Sequence, residues 1–328
     1  MKLIAIEEHF LTPAILTAWK NSAIGQDGTE ALDRGDLKEQ LLELGQRRLA
    51  RMDEGGIDVN VLSVTTPALH NLEAEESVTL ARSTNDVLAA TVRANPERFQ
   101  GFATLPMPAP AEAATELERA VRELHLHGAL LCGRTRNKNL DHPDFFPMLE
   151  TAARLRAPLY IHPQIPQKPV RDALYGGFAD PKIDLAFSTF GLGWHYEAGI
   201  QFLRLMLSGT LDRLPDLRII LGHWGEVVLF YLERLQGITR VAPLQRSVAE
   251  YCHDHLYITP SGMWSGSYLQ RTLEVMSPDR LIFSLDDPYQ YRPGRAGRTF
   301  VENAPLSNAD REGFAHSNWE RLVSGIVR

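Results

Sequence analysis

The amino-acid sequence predicts an α/β fold of the (β/α)8 type, a TIM barrel. Short apolar runs alternate with longer segments of helical period, which is the pattern of repeated βα units around a parallel sheet. Eight such runs occur along the 328 residues, a length that suits one barrel domain. Polar side chains of the metal-ligand type directly follow several of the runs. We therefore expect residues 1–328 to form a single domain.

Each predicted strand is a buried apolar run bounded by glycine, proline or charge. The eight are Leu3–Ile6, Val59–Val64, Phe102–Leu105, Ala129–Cys132, Leu159–His162, Ile219–Gly222, Leu256–Thr259 and Leu281–Ser284. Apolar residues at helical spacing predict helices between them, over Asp36–Glu54, Ser77–Ala94, Ala111–Leu126, Phe145–Leu155 and Tyr196–Leu211. The main interruption is Pro163–Trp194, where a long loop after the fifth strand is expected to cover the barrel mouth or to form an oligomer contact.

Composition excludes several classes of protein. The 34 basic and 41 acidic residues give a formal charge of −7, with neither sign in a long block, so nucleic acid is not an expected partner. The two cysteines, Cys132 and Cys252, argue against a disulfide framework and favour a reducing compartment, which predicts a cytoplasmic location. The apolar run at Leu3–Ile6 is far too short for a signal peptide or a membrane span, so no membrane association is expected.

Four side chains at predicted strand ends form a candidate metal site. Glu7 and His9 follow the first strand, His162 ends the fifth and Asp286 follows the eighth, and a barrel gathers these ends at one mouth. Because side chains alternate along a strand, Glu7 and His9 should face the barrel axis, whereas Glu8 should point outward as a bystander. Two carboxylates and two imidazoles suit one divalent cation, Zn²⁺ or Mn²⁺.

A second pair of candidates follows the sixth strand. His223 and Glu226 are three residues apart where a helix should begin, so the carboxylate can orient the imidazole and raise its basicity. The alternative is that Glu226 only stabilises the first helical turn. The fourth strand ends in Cys132 without a lysine that could be carbamylated to bridge two metals, which favours a mononuclear site. Cys132 itself is either core or a soft ligand.

With these residues in place, the chain resembles the amidohydrolase superfamily. The likeness is to its metal-dependent aromatic acid decarboxylases, such as γ-resorcylate, 2,3-dihydroxybenzoate, 5-carboxyvanillate and aminocarboxymuconate semialdehyde decarboxylases. The segments that carry the resemblance are Ile6–Phe10, Arg51–Asp58, Val61–Ser63, Gly101–Pro106, His162-Pro163, Gly222–Glu226 and Asn318–Leu322.

The resemblance implies roles for individual residues. Glu7, His9, His162 and Asp286 correspond to the metal ligands, and His223 with Glu226 to an adjacent acid/base pair. Arg234 falls where such proteins place an arginine that binds the substrate carboxylate. Eleven residues along a helix from His223 is about 16 Å, too far to reach the ion of its own chain. The resemblance therefore implies that Arg234 serves a neighbouring subunit of a homodimer or homotetramer.

Two segments depart from the family pattern. The chain has Leu285-Asp286-Asp287-Pro288-Tyr289-Gln290 where relatives commonly have Thr-Asp-aromatic-Pro-Phe-Glu, so Asp287 and Tyr289 should add a charge and a phenol to the site wall. It has Cys132-Gly133-Arg134-Thr135 where relatives often have Asn-Gly-His-Thr. Arg134 is expected either to meet a substrate carboxylate or phenolate, or to be an ordinary solvated loop residue.

The function that the resemblance implies is nonoxidative decarboxylation of a small hydroxyaryl carboxylic acid. The ring carbon is protonated first, by Asp286 in our hypothesis, and CO2 then leaves, while His223 and Glu226 restore the proton. Residues expected to pack on the ring, or else simply to fill the core, are Phe10, Trp194, His195 and Tyr289. One alternative is a lactonase or amidase of the same architecture that activates metal-bound water. Another is a metal-free binding protein on a barrel scaffold.

Overall fold

A computed structural model describes residues 1–22, 27–32, 34–290 and 292–328 of the chain. Within these ranges, seven parallel and largely buried strands run in chain order around a cylinder. They are β1 Ile4–Phe10, β2 Val59–Val64, β3 Phe99–Gly101, β4 Ala129–Cys132, β5 Leu159–His162, β6 Ile219–Leu221 and β7 Leu256–Ile258. The first three form one sheet and the other four a second.

The cylinder closes through an eighth segment, residues 281–284, and two isolated bridges. Ala103 pairs with Ala129 and so joins the two sheets, and Leu281 pairs with Ile258 of β7. On the other side of this eighth segment, the Ile6 amide donates to the Phe283 carbonyl at 3.0 Å. The segment thus occupies the eighth barrel position without forming a regular strand. The predicted barrel fold is confirmed, with its eighth strand reduced to these single contacts.

The third strand lies earlier than predicted. It covers Phe99–Gly101, although the Phe102 amide still donates to the Leu62 carbonyl and the Ala103 amide to the Gly128 carbonyl. Phe102 therefore remains inside the barrel, where its ring packs on Tyr160 at a centroid distance of 6.0 Å.

Helices surround the strands. They are α1 Pro13–Asn21, α2 Leu37–Leu42, α3 Gln46–Gly55, α4 Ala74–Ala94, α5 Pro110–Arg122, α6 Phe146–Leu155, α7 Lys168–Leu174, α8 Pro181–Ala186, α9 Gly193–Leu207, α10 Thr210–Arg213, α11 His223–Glu226, α12 Leu232–Gln236, α13 Val248–His255, α14 Gly266–Val275, α15 Ala296–Glu302, α16 Asn308–Glu312 and α17 Asn318–Ser324. Short 3-10 turns occur at Thr29–Leu32, Pro143–Phe145, Gly237–Arg240 and Pro278–Arg280, and π-turns at Phe187–Gly191 and Gly313–Ser317. None of the helices in these ranges is long and apolar enough to cross a bilayer.

Two further predicted elements differ from the structure. The helix expected over Asp36–Glu54 is divided into α2 and α3 because Gly45 adopts a non-helical conformation, with ψ −132°. The segment after β5 is not one long loop, since α7 and α8 lie within it. Pro169 and Pro181 occupy the first turns of these helices, where the missing amide hydrogen is no loss, so the prolines start helices here.

Candidate metal centre and active site

Four ligand-type side chains from three strand ends meet at the barrel mouth. Glu7, His9, His162 and Asp286 each offer one ligand atom, and these atoms lie within 4.8 Å of one another. His9 Nε2 is 3.4 Å from Asp286 Oδ1, and His162 Nε2 is 3.6 Å from Glu7 Oε1. All four residues are buried. The structure therefore brings together the four residues that the sequence suggested as ligands.

Glu7 reaches this site through a bulge in β1. Ile6 pairs with Val61 and Glu8 with Leu62, so Glu7 is an extra residue in the ladder, and its φ is 74°. Bulges of this kind re-aim side chains next to active sites. The regular alternation assumed from the sequence is interrupted here, and Glu8 does not line the cavity beside the site. Its side chain is fully buried and accepts hydrogen bonds from two backbone amides.

The donor atoms are arranged as a cation would require. His162 Nδ1 lies 2.8 Å from the Pro163 carbonyl and donates to it, which leaves the lone pair on Nε2 facing the site. His9 Nδ1 is held at 3.3 Å by the Ser63 hydroxyl, and one Glu7 oxygen accepts a short hydrogen bond from Ser261. Glu7 Oε1 and His9 Nε2 are buried and have no hydrogen-bond partner within the described part of the chain. Such orphaned atoms are costly, and a bound cation would satisfy both.

Burial dominates the electrostatics of these ligands. It raises the pKa of Glu7 to about 8 and the pKa of Asp286 to about 8, because a dry site disfavours the ionised form. Nearby carboxylates add to this effect: Asp286 for Glu7, and Asp287 and Glu226 for Asp286. Burial lowers the pKa of His9 to about 3 and holds the pKa of His162 well below its usual value. Near pH 7 the metal-free site therefore carries neutral imidazoles and protonated carboxyls.

A second cluster lies beside the first. Glu226, fully buried, uses both carboxylate oxygens: Oε1 is 2.7 Å from His223 Nδ1, and Oε2 is 2.9 Å from His195 Nδ1. The two imidazole rings are 4.4 Å apart between centroids. Sequence spacing suggested the first of these contacts, whereas His195 was expected only to pack on a substrate ring.

The backbone that places His223 and Glu226 is not the regular helix start that the spacing suggested. Within α11, Trp224 has φ 59° and Gly225 φ 88°, so the chain turns through the left-handed region. This conformation is easy for Gly225, which has no Cβ, and strained for its neighbours. The i to i+3 contact forms all the same, across a turn rather than along a helix face.

The His223–Glu226 pair is charged near neutral pH. Burial alone would lower the pKa of His223, but the adjacent Glu226 carboxylate, together with Glu7 and Asp286, outweighs it and raises that pKa to about 10. Burial would likewise raise the pKa of Glu226, but His223 and His195 together lower it to about 2. The pair is thus an imidazolium held by a carboxylate.

Both clusters open into one cavity of about 540 Å³. His162 and Asp286 line it from the first cluster, and His223 and Glu226 from the second. Much of the remaining wall is apolar, including Phe190, Leu192, Trp194, Leu229, Phe230, Met263, Tyr268 and Tyr289. The stretch of residues 187–194, which we call the cover, supplies one side of this wall. The arrangement suits a planar apolar molecule with an anionic group.

Two expected cavity residues lie elsewhere. Phe10 is fully buried in the barrel core, because it follows His9 on the strand and points to the opposite face. Arg134 is buried, and its guanidinium donates to the carbonyls of Arg136 at 2.9 Å and Ile165 at 2.8 Å. It ties the loop after β4 to the segment after β5 and does not line the cavity.

Three other candidates are placed as follows. Tyr289 lines the cavity, where its hydroxyl forms a short hydrogen bond with the Thr65 hydroxyl. Arg234 is exposed on α12 and does not line the cavity of its own chain. Cys132 is buried, and burial raises the pKa of its thiol to about 12, which fits a core residue better than a ligand.

Asp287 is not part of the cavity wall. Its carboxylate lies behind the site, 3.3 Å from Arg48 and 3.2 Å from Arg51. The negative charge of Asp287, which was expected in the site wall, therefore lies in the core, where the two arginines neutralise it.

Several residues of the site were missed from the sequence. Ser261 follows β7 and bridges Glu7 to the His223 amide, and the strand-end rule could have found it. Arg34 and Arg271 line the cavity from a loop and from α14, far from any strand end. No sequence pattern marked these two cations.

The fold and the site define a barrel protein with a candidate metal-binding site at its mouth. A sequence model of the amidohydrolase family matches residues 17–324. The chain belongs to the amidohydrolase family, and its relatives place it in the decarboxylase branch.

Named relatives match nearly the whole chain. The γ-resorcylate decarboxylase of Polaromonas sp. (strain JS666) is 34% identical over 332 residues, covering 97% of each chain. The decarboxylase orsB of Emericella nidulans is 33% identical and covers 88% of this chain and 86% of its own.

Solved structures of decarboxylases also match the chain over nearly its full length. The 5-carboxyvanillate decarboxylase from Sphingomonas paucimobilis matches with a TM-score of 0.90 at 32% identity, over 99% of both chains. A dihydroxybenzoic acid decarboxylase from Polaromonas sp. JS666, solved with manganese and the inhibitor 2-nitroresorcinol, matches with a TM-score of 0.85 at 31% identity, over 98% of this chain and 97% of that one.

Proposed function

We propose that this chain catalyses the nonoxidative, metal-dependent decarboxylation of a hydroxyaryl carboxylic acid. One observation carries the proposal: a buried four-ligand site opens directly into an apolar cavity that also holds an imidazolium–carboxylate pair. The relatives described above are named decarboxylases, and they match this chain over most of their length. This favours loss of CO2 over the hydrolysis of a lactone or amide.

We propose Glu7, His9, His162 and Asp286 as the ligands of one divalent cation, Mn²⁺ or Zn²⁺. The manganese in the Polaromonas relative supports the first of these. When bound, the cation would chelate the substrate carboxylate and an ortho oxygen and would stabilise charge on the phenolate. The two orphaned ligand atoms and the donors that fix the other nitrogens support this assignment.

Asp286 is our candidate for the acid. Loss of CO2 from an intact ring would leave an aryl anion, so a proton must first be added to the ring carbon that carries the carboxylate. Asp286 lines the same cavity as the protonated His223, so it can receive a proton from that imidazolium and present it to a bound ring. The new C–H bond forms, the C–C bond then breaks with its electron pair returning to the ring, and CO2 leaves. Each turnover consumes one proton.

His223 is our candidate for replacing that proton. Its pKa of about 10 keeps it protonated at neutral pH, and Glu226 remains ionised beside it. His223 lines the same cavity as Asp286, so a water molecule can pass its proton to the spent carboxylate. Glu226 orients His223 and compensates its charge.

The remaining wall would bind the ring. We propose that Trp194 and Tyr289 pack against it and that Arg34 and Arg271 attract the anionic substrate from the mouth. The Tyr289 ring lies 5.5 Å from the His9 ring between centroids, and the Trp194 ring lies 6.2 Å from the His195 ring.

Arg234 is proposed to act on the active site of a neighbouring subunit in a homodimer or homotetramer. Its exposure, and the exposure of Phe230 by 70% and Tyr231 by 46% nearby in sequence, support a surface that another copy covers.

We further propose that residues 1–328 work as one catalytic domain. Lys2 pairs with Glu320 at 2.9 Å, and the Val327 amide donates to the Leu155 carbonyl at 2.8 Å, so the two ends of the chain pack on the same body. A cytoplasmic location is proposed on the basis of the two free, buried thiols of Cys132 and Cys252.

The test is a product assay. Protein loaded with Mn²⁺ is incubated with dihydroxybenzoates and with a lactone and an anilide as hydrolase substrates. The expected result is CO2 release from a hydroxyaryl acid and, in D2O, one deuterium on the carbon that carried the carboxylate. Hydrolysis of the lactone or anilide without CO2 release from any of the acids would refute the proposal.

A further inference from the structure

A buried carboxylate behind the cation site has no part in the chemistry above. Glu8 lies between Glu7 and His9, yet its side chain does not line the cavity. Its Oε1 accepts from the Leu285 amide at 2.9 Å, and its Oε2 accepts from the Asp287 amide at 3.2 Å. These are the two residues that flank Asp286. One carboxylate thus grips the backbone on both sides of a proposed ligand.

The backbone at Asp286 needs such support. Its φ is 62°, in the left-handed region that residues with a Cβ rarely adopt. Strained conformations persist only where the surrounding structure over-determines them. The His9 amide also donates to the Asp287 carbonyl, at 2.7 Å. Three hydrogen bonds therefore join β1 to Leu285 and Asp287, and two of the three end on Glu8.

Buried charges fix this arrangement from behind. Arg48, fully buried, donates to the His9 carbonyl at 2.5 Å and pairs with Asp287 at 3.3 Å. Arg51 pairs with the same Asp287 oxygen at 3.2 Å. Asp287 is thus held by two guanidinium groups, and Glu8 lies next to this cluster.

We infer that Glu8 is a positioning residue for Asp286. By holding the amides of Leu285 and Asp287, it keeps Asp286 in its left-handed conformation with the carboxyl at the cation site, 3.4 Å from His9 Nε2. The inference rests on the proposed cation site but not on the reaction performed there. The competing explanation is that Glu8 only stabilises the fold, as a buried counter-ion of Arg48.

The test variant is Glu8→Gln. Glutamine keeps the size of the side chain and one carbonyl acceptor, but it turns an amide donor toward the second backbone amide. Loss of groups that orient metal ligands typically costs about 10–100-fold in metal affinity. We expect the Kd of the metal-free protein for Mn²⁺, measured by titration calorimetry, to rise by about that factor.

A double-mutant cycle separates positioning from charge and from folding. In an Asp286→Ala background no carboxyl remains to be positioned, so Glu8→Gln should change the Mn²⁺ Kd by less than about twofold. If Glu8 acted by its charge or through general stability, the full loss would persist in that background. Persistence of the loss would overturn the inference.

Glu43→Gln is the matched control. The Glu43 carboxylate also grips two backbone amides, those of Gly45 and Arg48, each at 2.8 Å, but it does not touch the segment that carries Asp286. This variant should lower the melting temperature and leave the Mn²⁺ affinity within about twofold of the wild type. Equal losses of Mn²⁺ affinity in Glu8→Gln and Glu43→Gln would argue against a specific positioning role for Glu8.

The result remains decisive if Glu8→Gln does not fold. Glu8→Asp is one methylene shorter and can reach at most one of the two amides, so it enters the same cycle. A wild-type protein that binds no Mn²⁺ would refute the proposed cation site. A wild type that binds, with a Glu8 variant that binds equally well, would refute the positioning role alone.

Discussion

Binding of a divalent cation should release protons, and their number follows from the metal-free site. Glu7 and Asp286 each have a pKa of about 8, whereas His9 is neutral with a pKa of about 3 and His162 is neutral as well. Each carboxyl is then about 90% protonated at pH 7 and about 10% protonated at pH 9. A cation that needs both as carboxylates should displace close to two protons at pH 7 and almost none above pH 9.

The same competition sets the affinity. Two protons lost per cation weaken the apparent Mn²⁺ affinity by about 100-fold between pH 9 and pH 7, with a slope of about two decades per pH unit further down. The sign follows from the raised carboxyl pKa values: affinity is highest above pH 8 and falls as the pH decreases. Calorimetric titration in buffers of different ionisation enthalpy, under anaerobic conditions, counts the protons directly.

Glu7→Gln provides the control for this count. Glutamine cannot release a proton, so the number at pH 7 should fall by about one while some affinity remains. Release of less than about half a proton by the wild type at pH 7, together with an affinity that does not depend on pH, would show that the carboxyls are ionised before the cation arrives. That outcome would refute the electrostatic description of the site.

Three further predictions concern individual residues. At saturating Mn²⁺, Asp286→Asn should still bind the cation but lower kcat for CO2 release by about 10²–10⁴-fold, and turnover close to the wild-type value would remove Asp286 as the acid. Arg234→Ala should lower kcat/KM, whereas the control Arg240→Ala should not. Mixing Arg234→Ala subunits with Asp286→Asn subunits should restore activity, since one site of each hybrid dimer then has both native residues. Absence of recovery would argue against an arginine shared between subunits. Cys132→Ala should leave the Mn²⁺ affinity within about twofold of the wild type by calorimetry, because the thiol is a core group, and a tenfold loss would make it a ligand.

The fold could be predicted from the sequence because short apolar runs alternate with segments of helical period along the whole chain. The four ligand-type residues were found by the rule that strand ends converge, and that rule depends only on where each apolar run stops. The same rule would have led to Ser261. The third strand was misplaced because Phe102–Leu105 is as apolar as Phe99–Gly101, and only pairing with β2 decides between them.

Other features depend on backbone conformations that leave no periodic pattern. The bulge at Glu7 interrupts the alternation of β1, and the left-handed turn at Trp224 replaces a helix start. Arg134 could not be separated from a substrate-binding arginine by composition, since one of its carbonyl partners, that of Ile165, lies in a distant segment. Arg34 and Arg271 reach the cavity through tertiary packing alone.

The double grip of Glu226 has a consequence for access to the cavity. One of its two imidazole partners, His195, stands at the start of α9, directly after the cover, and its Nε2 also accepts from the Trp194 indole at 3.2 Å. Any outward movement of the cover that carried His195 along would free one carboxylate oxygen and let Glu226 rotate away from His223. Admission of the reactant and loss of proton supply would then happen together, so the enzyme would be least reactive while its entrance stands open to water.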